Sequence, residues 1–157
     1  RENQGEDDTA SHGWVHKALV AARLKNADSC YNSLMALMAD NIYYTSLMAD
    51  HYTHGGWGVF CTDTTIGTIG IIDEMLLYSN TGVIEALPAL PDEWSEGSIE
   101  GLRARTNAEV DLEWTAEEVK ITVTSDKAQT IKVSVYGGKE QTITFNEGET
   151  KEIILKR

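Results

Sequence analysis

Residues 51–67 read His-Tyr-Thr-His-Gly-Gly-Trp-Gly-Val-Phe-Cys-Thr-Asp-Thr-Thr-Ile-Gly, a dense run of side chains able to do chemistry. Asp63 stands at the N-terminal edge of a predicted helix, with Thr64 and Thr65 beside it. At such an edge Asp is a favoured N-cap. The same position keeps a carboxylate ionised, because the free N–H groups and the helix dipole favour the charged form. A carboxylate held that way suits base or orienting chemistry, so Asp63 is the catalytic candidate. Trp57 lies among Gly55, Gly56 and Gly58. It reads either as a platform on which a sugar stacks or as a loop anchor packed in the core. His51 and His54 are spaced i, i+3 in this Gly-rich segment, without the third ligand and spacing that a metal site needs. No metal is expected, and His54 and Trp57 are candidates for substrate binding. His12 and His16 flank Trp14 and read as surface or locally satisfied groups. The chain has no Gly-rich phosphate loop, no Ser/Cys–His nucleophile signature and no paired-Cys motif, so no cofactor is implied.

These side chains have to be held by helices. Residues 14–27 are rich in helix formers, with Trp14, Ala18, Ala21 and Ala22 on one stripe and Val15 and Leu19 beside it. Asp28 or Ser29 is expected to cap a second helix carrying Tyr31, Leu34, Leu37 and Met38. Residues 41–62 show no clean period and read as a long loop, a kind more often functional than idle. A third helix is expected from residues 63–65 to about Ser79, burying Ile69, Ile72, Leu76 and Ile66, and ended by Asn80-Thr-Gly82. From residue 98 the period becomes two: Val110, Leu112 and Trp114, then Ile121 and Val123, then Ile131, Val133 and Val135, then Ile143 and Phe145. Turn signals fall between these runs, which predicts an antiparallel β-sandwich. Pro88 and Pro91, both prolines of the chain, mark a stiff linker that Trp94 and the leucines pack down. The fold class expected is α+β, with helices over 1–85, a linker over 86–97 and the sandwich over 98–157. Three helices with such apolar faces need more cover than one small sandwich offers.

The chain has 157 residues, 13 Lys+Arg and 25 Asp+Glu, for a net charge of -12. Residues 1–90 hold 4 positive and 11 negative side chains and residues 91–157 hold 9 and 14, so the acidity is spread out and reads as solubility. That charge argues against nucleic-acid and anionic-membrane partners. Apolar runs such as Ile66–Ile72 fall far short of the roughly 18 residues of a membrane span. Cys30 and Cys61 are too few for a disulfide scaffold and read as buried free thiols. A soluble bacterial protein is expected, with cytoplasm and export both open.

A set of words in this chain resembles the C-terminal part of glycoside hydrolase family 95, which comprises α-L-fucosidases and related α-L-galactosidases. They are Phe60-Cys-Thr-Asp-Thr-Thr-Ile-Gly67, Glu74-Met-Leu-Leu-Tyr-Ser79, Gly82-Val-Ile-Glu-Ala-Leu-Pro-Ala-Leu-Pro91, Gly97-Ser-Ile-Glu-Gly-Leu-Arg-Ala-Arg105 and Val110-Asp-Leu-Glu-Trp114, with Gly13-Trp14 and Ala22-Arg23-Leu24 ahead of them. The resemblance covers roughly residues 12–115. It implies that the helices are the last of an (α/α)6 toroid, completed by helices outside this chain, and that a β-sandwich follows. It also implies a carbohydrate substrate and inverting hydrolysis, in which a Glu is the general acid and an Asn, activated by an Asp, positions the attacking water. That Asp lies in a segment usually reading Asp-Gly-Asn-Phe-Gly-Gly. Aligned without gaps it falls on Asp63, while Thr64 and Thr65 replace the Gly and Asn and Gly67 matches the next Gly; the resemblance thereby makes Thr65 a further substrate-binding candidate. The acid and the water-holding Asn have no counterpart here. Two other classes compete: a non-catalytic carbohydrate-binding or scaffold module, and an unrelated helical–β domain in which Asp63 is only a cap.

Overall fold

The computed structural model describes residues 10–39, 48–51 and 59–157. His54 and Trp57 lie outside the described residues. The chain forms two compact units, one up to Glu74 and one from Met75 to Arg157.

Among the described residues the first unit holds three helices, α1 (Ser11–Arg23), α2 (Ala27–Ala39) and α3 (Thr62–Leu76), the last of which runs two residues into the second unit. α1 buries Ser11, Val15, Ala18, Ala21 and Ala22. Trp14 is half-buried, so the stripe is centred one residue later than its aromatic ring implied. The small side chains let α2 approach closely, and the Cys30 thiol donates to the Ala18 carbonyl at 3.3 Å. Cys30 and Cys61 are both free and buried. α1 ends in a Schellman motif: Asn26 N–H reaches Ala21 O at 2.9 Å and Lys25 N–H reaches Ala22 O at 3.0 Å, with Lys25 left-handed at φ 57°. Asn26 then caps α2, its Oδ1 accepting from Ser29 N–H at 3.0 Å. The expected caps Asp28 and Ser29 fall inside the helix instead, because the tight α1 exit brings the chain into α2 earlier. α2 buries Cys30, Ser33, Leu34 and Leu37, while Tyr31 is half-buried and Met38 exposed.

α3 departs most from expectation. Its buried side carries Thr64, Thr68, Ile71 and Met75, with Leu76 following, and Ile72 is half-buried. Ile66 and Ile69 are 71% and 65% exposed. The segment is apolar on every side, so hydrophobicity does not set its rotational phase. A polar tie does: the Thr64 hydroxyl bonds across to Ser11 of α1, while the buried Thr68 hydroxyl is satisfied within the helix by Thr64 O at 2.8 Å. The helix also stops at Leu76 rather than Ser79.

The second unit holds eight strands: β1 (Leu77–Asn80), β2 (Val83–Ala86), β3 (Gly97–Ala104), β4 (Ala108–Trp114), β5 (Glu118–Ser125), β6 (Gln129–Val135), β7 (Gln141–Phe145) and β8 (Thr150–Lys156). Asn80-Thr-Gly82 closes a hairpin between β1 and β2 instead of ending a helix, with Gly82 at φ 70°. These two short strands lie in the stretch expected to be helix and linker, and compactness divides the chain between Glu74 and Met75 rather than near residue 85. Leu87 N–H donates to Leu76 O and Ala89 N–H to Met75 O, so the Leu-Pro-Ala-Leu-Pro segment is tied to the residues that start this unit.

Two four-stranded sheets result, ordered β1-β2-β6-β7 and β3-β4-β5-β8. All but one pairing is antiparallel; β2 runs parallel to β6, which a purely antiparallel expectation did not contain. Such a pair needs a long crossover, here residues 87–128, and period-two patterning does not report strand direction. The alternating residues Val110, Leu112, Ile121, Val123, Ile131, Val133 and Phe145 are buried. Ile143 is half-buried. A bulge between Ile99 and Leu102 puts Gly101 at φ 74°, and its N–H donates to Asp111 Oδ1 at 2.8 Å.

One end of this unit is closed by polar side chains. Thr106 is 1% exposed; its hydroxyl accepts from Gly82 N–H at 3.0 Å and donates to Gln129 Oε1 at 3.0 Å. Gln129 Nε2 donates to Thr106 O at 2.7 Å and to Ser125 Oγ at 2.8 Å, and Ser125 donates on to Lys127 O.

Candidate functional site around the first turn of α3

Three pieces of chain meet at the start of α3. Asp50 and Phe60 form a single antiparallel bridge. It is flanked by His51 N–H to Val59 O at 2.8 Å and Cys61 N–H to Ala49 O at 2.9 Å. The start of α1 joins them through Ser11 N–H to His51 O at 2.7 Å. Cys61 immediately precedes Thr62, the first helical residue, so Asp63 is the second residue of α3 and not its N-cap. Its side chain is exposed at the positive end of the helix dipole.

The two threonines that follow face differently. Thr64 is fully buried; its hydroxyl donates to Ser11 Oγ at 2.6 Å, and Ser11 donates to Asp50 O at 2.7 Å. The Cys61 sulfur lies 3.2 Å from the same Thr64 oxygen. Thr65 is half-buried and its hydroxyl is held twice by backbone, accepting from Ala49 N–H at 3.1 Å and donating to Cys61 O at 3.1 Å. Asp63 and Thr65 thus share one helical turn, while the other two substrate-binding candidates, His54 and Trp57, are not among the described residues.

The structure adds a contact that the spacing alone did not single out. The ring of His12 lies 4.9 Å from that of His51 and 6.0 Å from that of His16. The i, i+4 spacing of His12 and His16 on one helix was the only available signal, and His51 arrives from a distant segment. Among the described residues no group of His, Cys, Asp and Glu is arranged to hold a metal ion. Further along α3, burial and then the neighbouring Glu74 charge raise the Asp73 carboxyl above its usual range. Glu74 itself meets Arg23 of α1 at 2.6 Å. Asp73 lies ten residues from Asp63, roughly 15 Å by helical rise, too far to act with it on one bond. Asp50, in the segment bridged to Phe60, is fully buried.

In the second unit an open groove runs over the outer face of β3, β4 and β5, lined by Ser98, Glu100, Asp111, Glu113, Lys120 and Thr122. Glu113 and Lys120 pair across it. The Trp114 ring beside it is 6% exposed, and its Nε1–H donates to Trp94 O at 2.9 Å. It packs at the end of β4, between β3 and β5, and does not offer a stacking face.

Residues 78–156, both sheets almost entirely, match the family described as glycoside hydrolase family 95, C-terminal domain. The chain belongs to glycoside hydrolase family 95. That membership removes the unrelated helical–β domain from consideration. Alpha-L-fucosidase 2 of Arabidopsis thaliana is 32% identical over 111 residues, which cover 65% of this chain and 13% of the relative. "Probable alpha-fucosidase A" of Aspergillus oryzae is 30% identical over 119 residues, covering 67% of this chain and 16% of the relative. The family 95 chain therefore spans a small C-terminal-type portion of the length of these proteins. A solved structure, "Putative kojibiose phosphorylase from human microbiome", matches with a TM-score of 0.53 at 14% identity, over 94% of this chain and 20% of that one. This last likeness speaks to fold alone.

Proposed function

We propose that this chain is the C-terminal portion of an inverting glycoside hydrolase that acts on α-L-fucosides or related α-L-galactosides. In this reading α1, α2 and α3 are closing helices of an (α/α)6 toroid, and the two sheets form the β-sandwich domain that follows. Asp63 orients or activates the group that holds the attacking water, and the general acid comes from residues outside this chain. Inverting hydrolysis needs an acid and a base unit on opposite faces of the sugar with a water between them. One exposed carboxylate in the first turn of α3 supplies half of that arrangement.

The observation that carries the proposal is family membership combined with apolar helix surface that this chain leaves uncovered. Ile66 and Ile69 of α3 and Val20 and Leu24 of α1 are exposed, as are Met35 and Met38 of α2. Further helices of a toroid are the natural cover for such faces. The experiment is turnover of aryl α-L-fucoside and α-L-galactoside by the parent protein with and without Asp63→Asn. The expected outcome is a loss of about 100-fold or more in kcat, the scale of general-base assistance. Unchanged turnover on whichever substrate is hydrolysed removes Asp63 from the mechanism.

A second reading is a non-catalytic carbohydrate-binding or scaffold module. It is favoured by Thr65, whose hydroxyl is held by Ala49 and Cys61 backbone where the family motif carries an amide. Glycan binding by the parent protein without hydrolysis of any bound glycan distinguishes it.

A further inference from the structure

The first turn of a helix is its least determined part, because its N–H groups have no partners within the helix. A side chain on that turn points reliably only if something outside the helix holds the turn in place. Around Asp63 that holding is done by hydroxyls on its C-terminal side. Thr64 is driven into the interior and donates a hydrogen bond to Ser11 Oγ at 2.6 Å; Ser11 donates its own to the Asp50 carbonyl at 2.7 Å. Ser11 spends its single proton on that carbonyl and so accepts from Thr64, which gives the bonds one direction: α3 to α1 to the 48–51 segment. Thr65 adds a second tie to that same segment, through Ala49 N–H at 3.1 Å.

We infer that Thr64, acting through Ser11, is a positioning residue for Asp63: the buried hydroxyl relay sets the rotation of the first turn of α3 and so the direction of the Asp63 carboxylate. The inference rests on the assignment of Asp63 made above. Consecutive helical residues are about 100° apart, so anchoring Thr64 inward leaves Asp63 outward and sets the direction in which its side chain leaves the backbone. A glycine at position 64 has no such anchor. The Thr64 and Ser11 side chains are both fully buried, so water does not replace a link that is removed.

The test uses the parent protein and four variants, Asp63→Asn, Thr64→Val, Thr64→Ser and Ser11→Ala, with kcat and KM measured separately. Valine keeps the size and branching of threonine and removes only the hydroxyl. Thr64→Val is expected to lower kcat roughly 10-fold with KM unchanged, below the ~100-fold that a full 1 Å displacement of a catalytic group costs. Thr64→Ser restores kcat to within about twofold of the wild type, since the proton donor is kept. Ser11→Ala breaks the relay at its middle and lowers kcat alone in the same way, which keeps the inference testable if Thr64→Val does not fold. If Asp63→Asn abolishes turnover while Thr64→Val and Ser11→Ala leave kcat within twofold, the positioning role is overturned and the Asp63 assignment stands. If Thr64→Ser is as poor as Thr64→Val, keeping the hydroxyl does not rescue the turn, the fit of the whole side chain matters instead, and the hydroxyl relay is overturned. If Asp63→Asn is itself silent, the underlying assignment fails first.

Discussion

Replacing Thr106 by valine removes one buried hydroxyl that makes two bonds, and the size of the effect follows from their geometry. The hydroxyl accepts from Gly82 N–H and donates to Gln129 Oε1, both at 3.0 Å. Valine fills nearly the same space, so little packing is lost. Two hydrogen bonds of about 1 kcal/mol net disappear, and a half-buried amide is left beside an apolar methyl, for a total of about 2 kcal/mol. In a unit of this size that lowers the melting temperature by roughly 8–16 °C. The assay is thermal and urea unfolding of Thr106→Val and Thr106→Ser against the wild type, with hydrogen exchange at the Gly82 amide. Serine keeps the hydroxyl and is expected to retain Gly82 protection. A valine variant within about 0.5 kcal/mol of the wild type, with Gly82 still protected, refutes the view that this network holds the hairpin turns together.

Other outcomes follow from single contacts. A Cβ added at Gly97 would lie 2.5 Å from Cζ2 of Trp114, whose ring is buried and hydrogen-bonded to Trp94 O, so Gly97→Ala is expected to cost about 1–3 kcal/mol. The loss should shrink in a Trp114→Phe background, and an equal cost in both backgrounds rules out the ring as its cause. Burial pushes the Cys30 thiol up to about 11, against roughly 8.5 in an unfolded chain. The raised value means the folded state favours the protonated thiol, so its contribution is intact below about pH 8.5 and is lost as pH rises through 11, at about 1.4 kcal/mol per pH unit. Comparing the alkaline unfolding of wild type and Cys30→Ala isolates it, and superimposable pH profiles would contradict the burial argument.

Several levels of organisation were legible in the residues alone. Period-two alternation marked most of the strands from residue 98 on, because each strand of a sheet with one buried face must alternate. Helix-forming composition marked α1 and α2, and the ordered words from Phe60 to Trp114 marked the family. What failed had specific causes. The four-residue strands β1 and β2 are too short to show a period, so a run of apolar residues ending in Asn-Thr-Gly read as a helix and its stop. The phase of α3 is not legible in its residues, because its isoleucines occur on every side. The cap of α2 was placed late because the Schellman exit of α1 is a backbone conformation adopted by Lys25, not by a glycine that composition would flag.

The same division runs through the candidate site. Residue types alone put a carboxylate and two threonines at the edge of a helix, because helix termini select such side chains whatever surrounds them. Only the tertiary structure decided that Asp63 sits one residue inside the helix, that Thr64 faces the interior, and that Ser11, some fifty positions earlier, accepts its hydrogen bond. Hydrogen bonds between distant segments leave no trace in local spacing, since either partner looks like an ordinary polar residue until folding brings the two to within 2.6 Å. The exposed isoleucines make the complementary point: the sequence determines that α3 is apolar all round, and the bond of Thr64 to α1 helps to determine which part of that surface stays exposed.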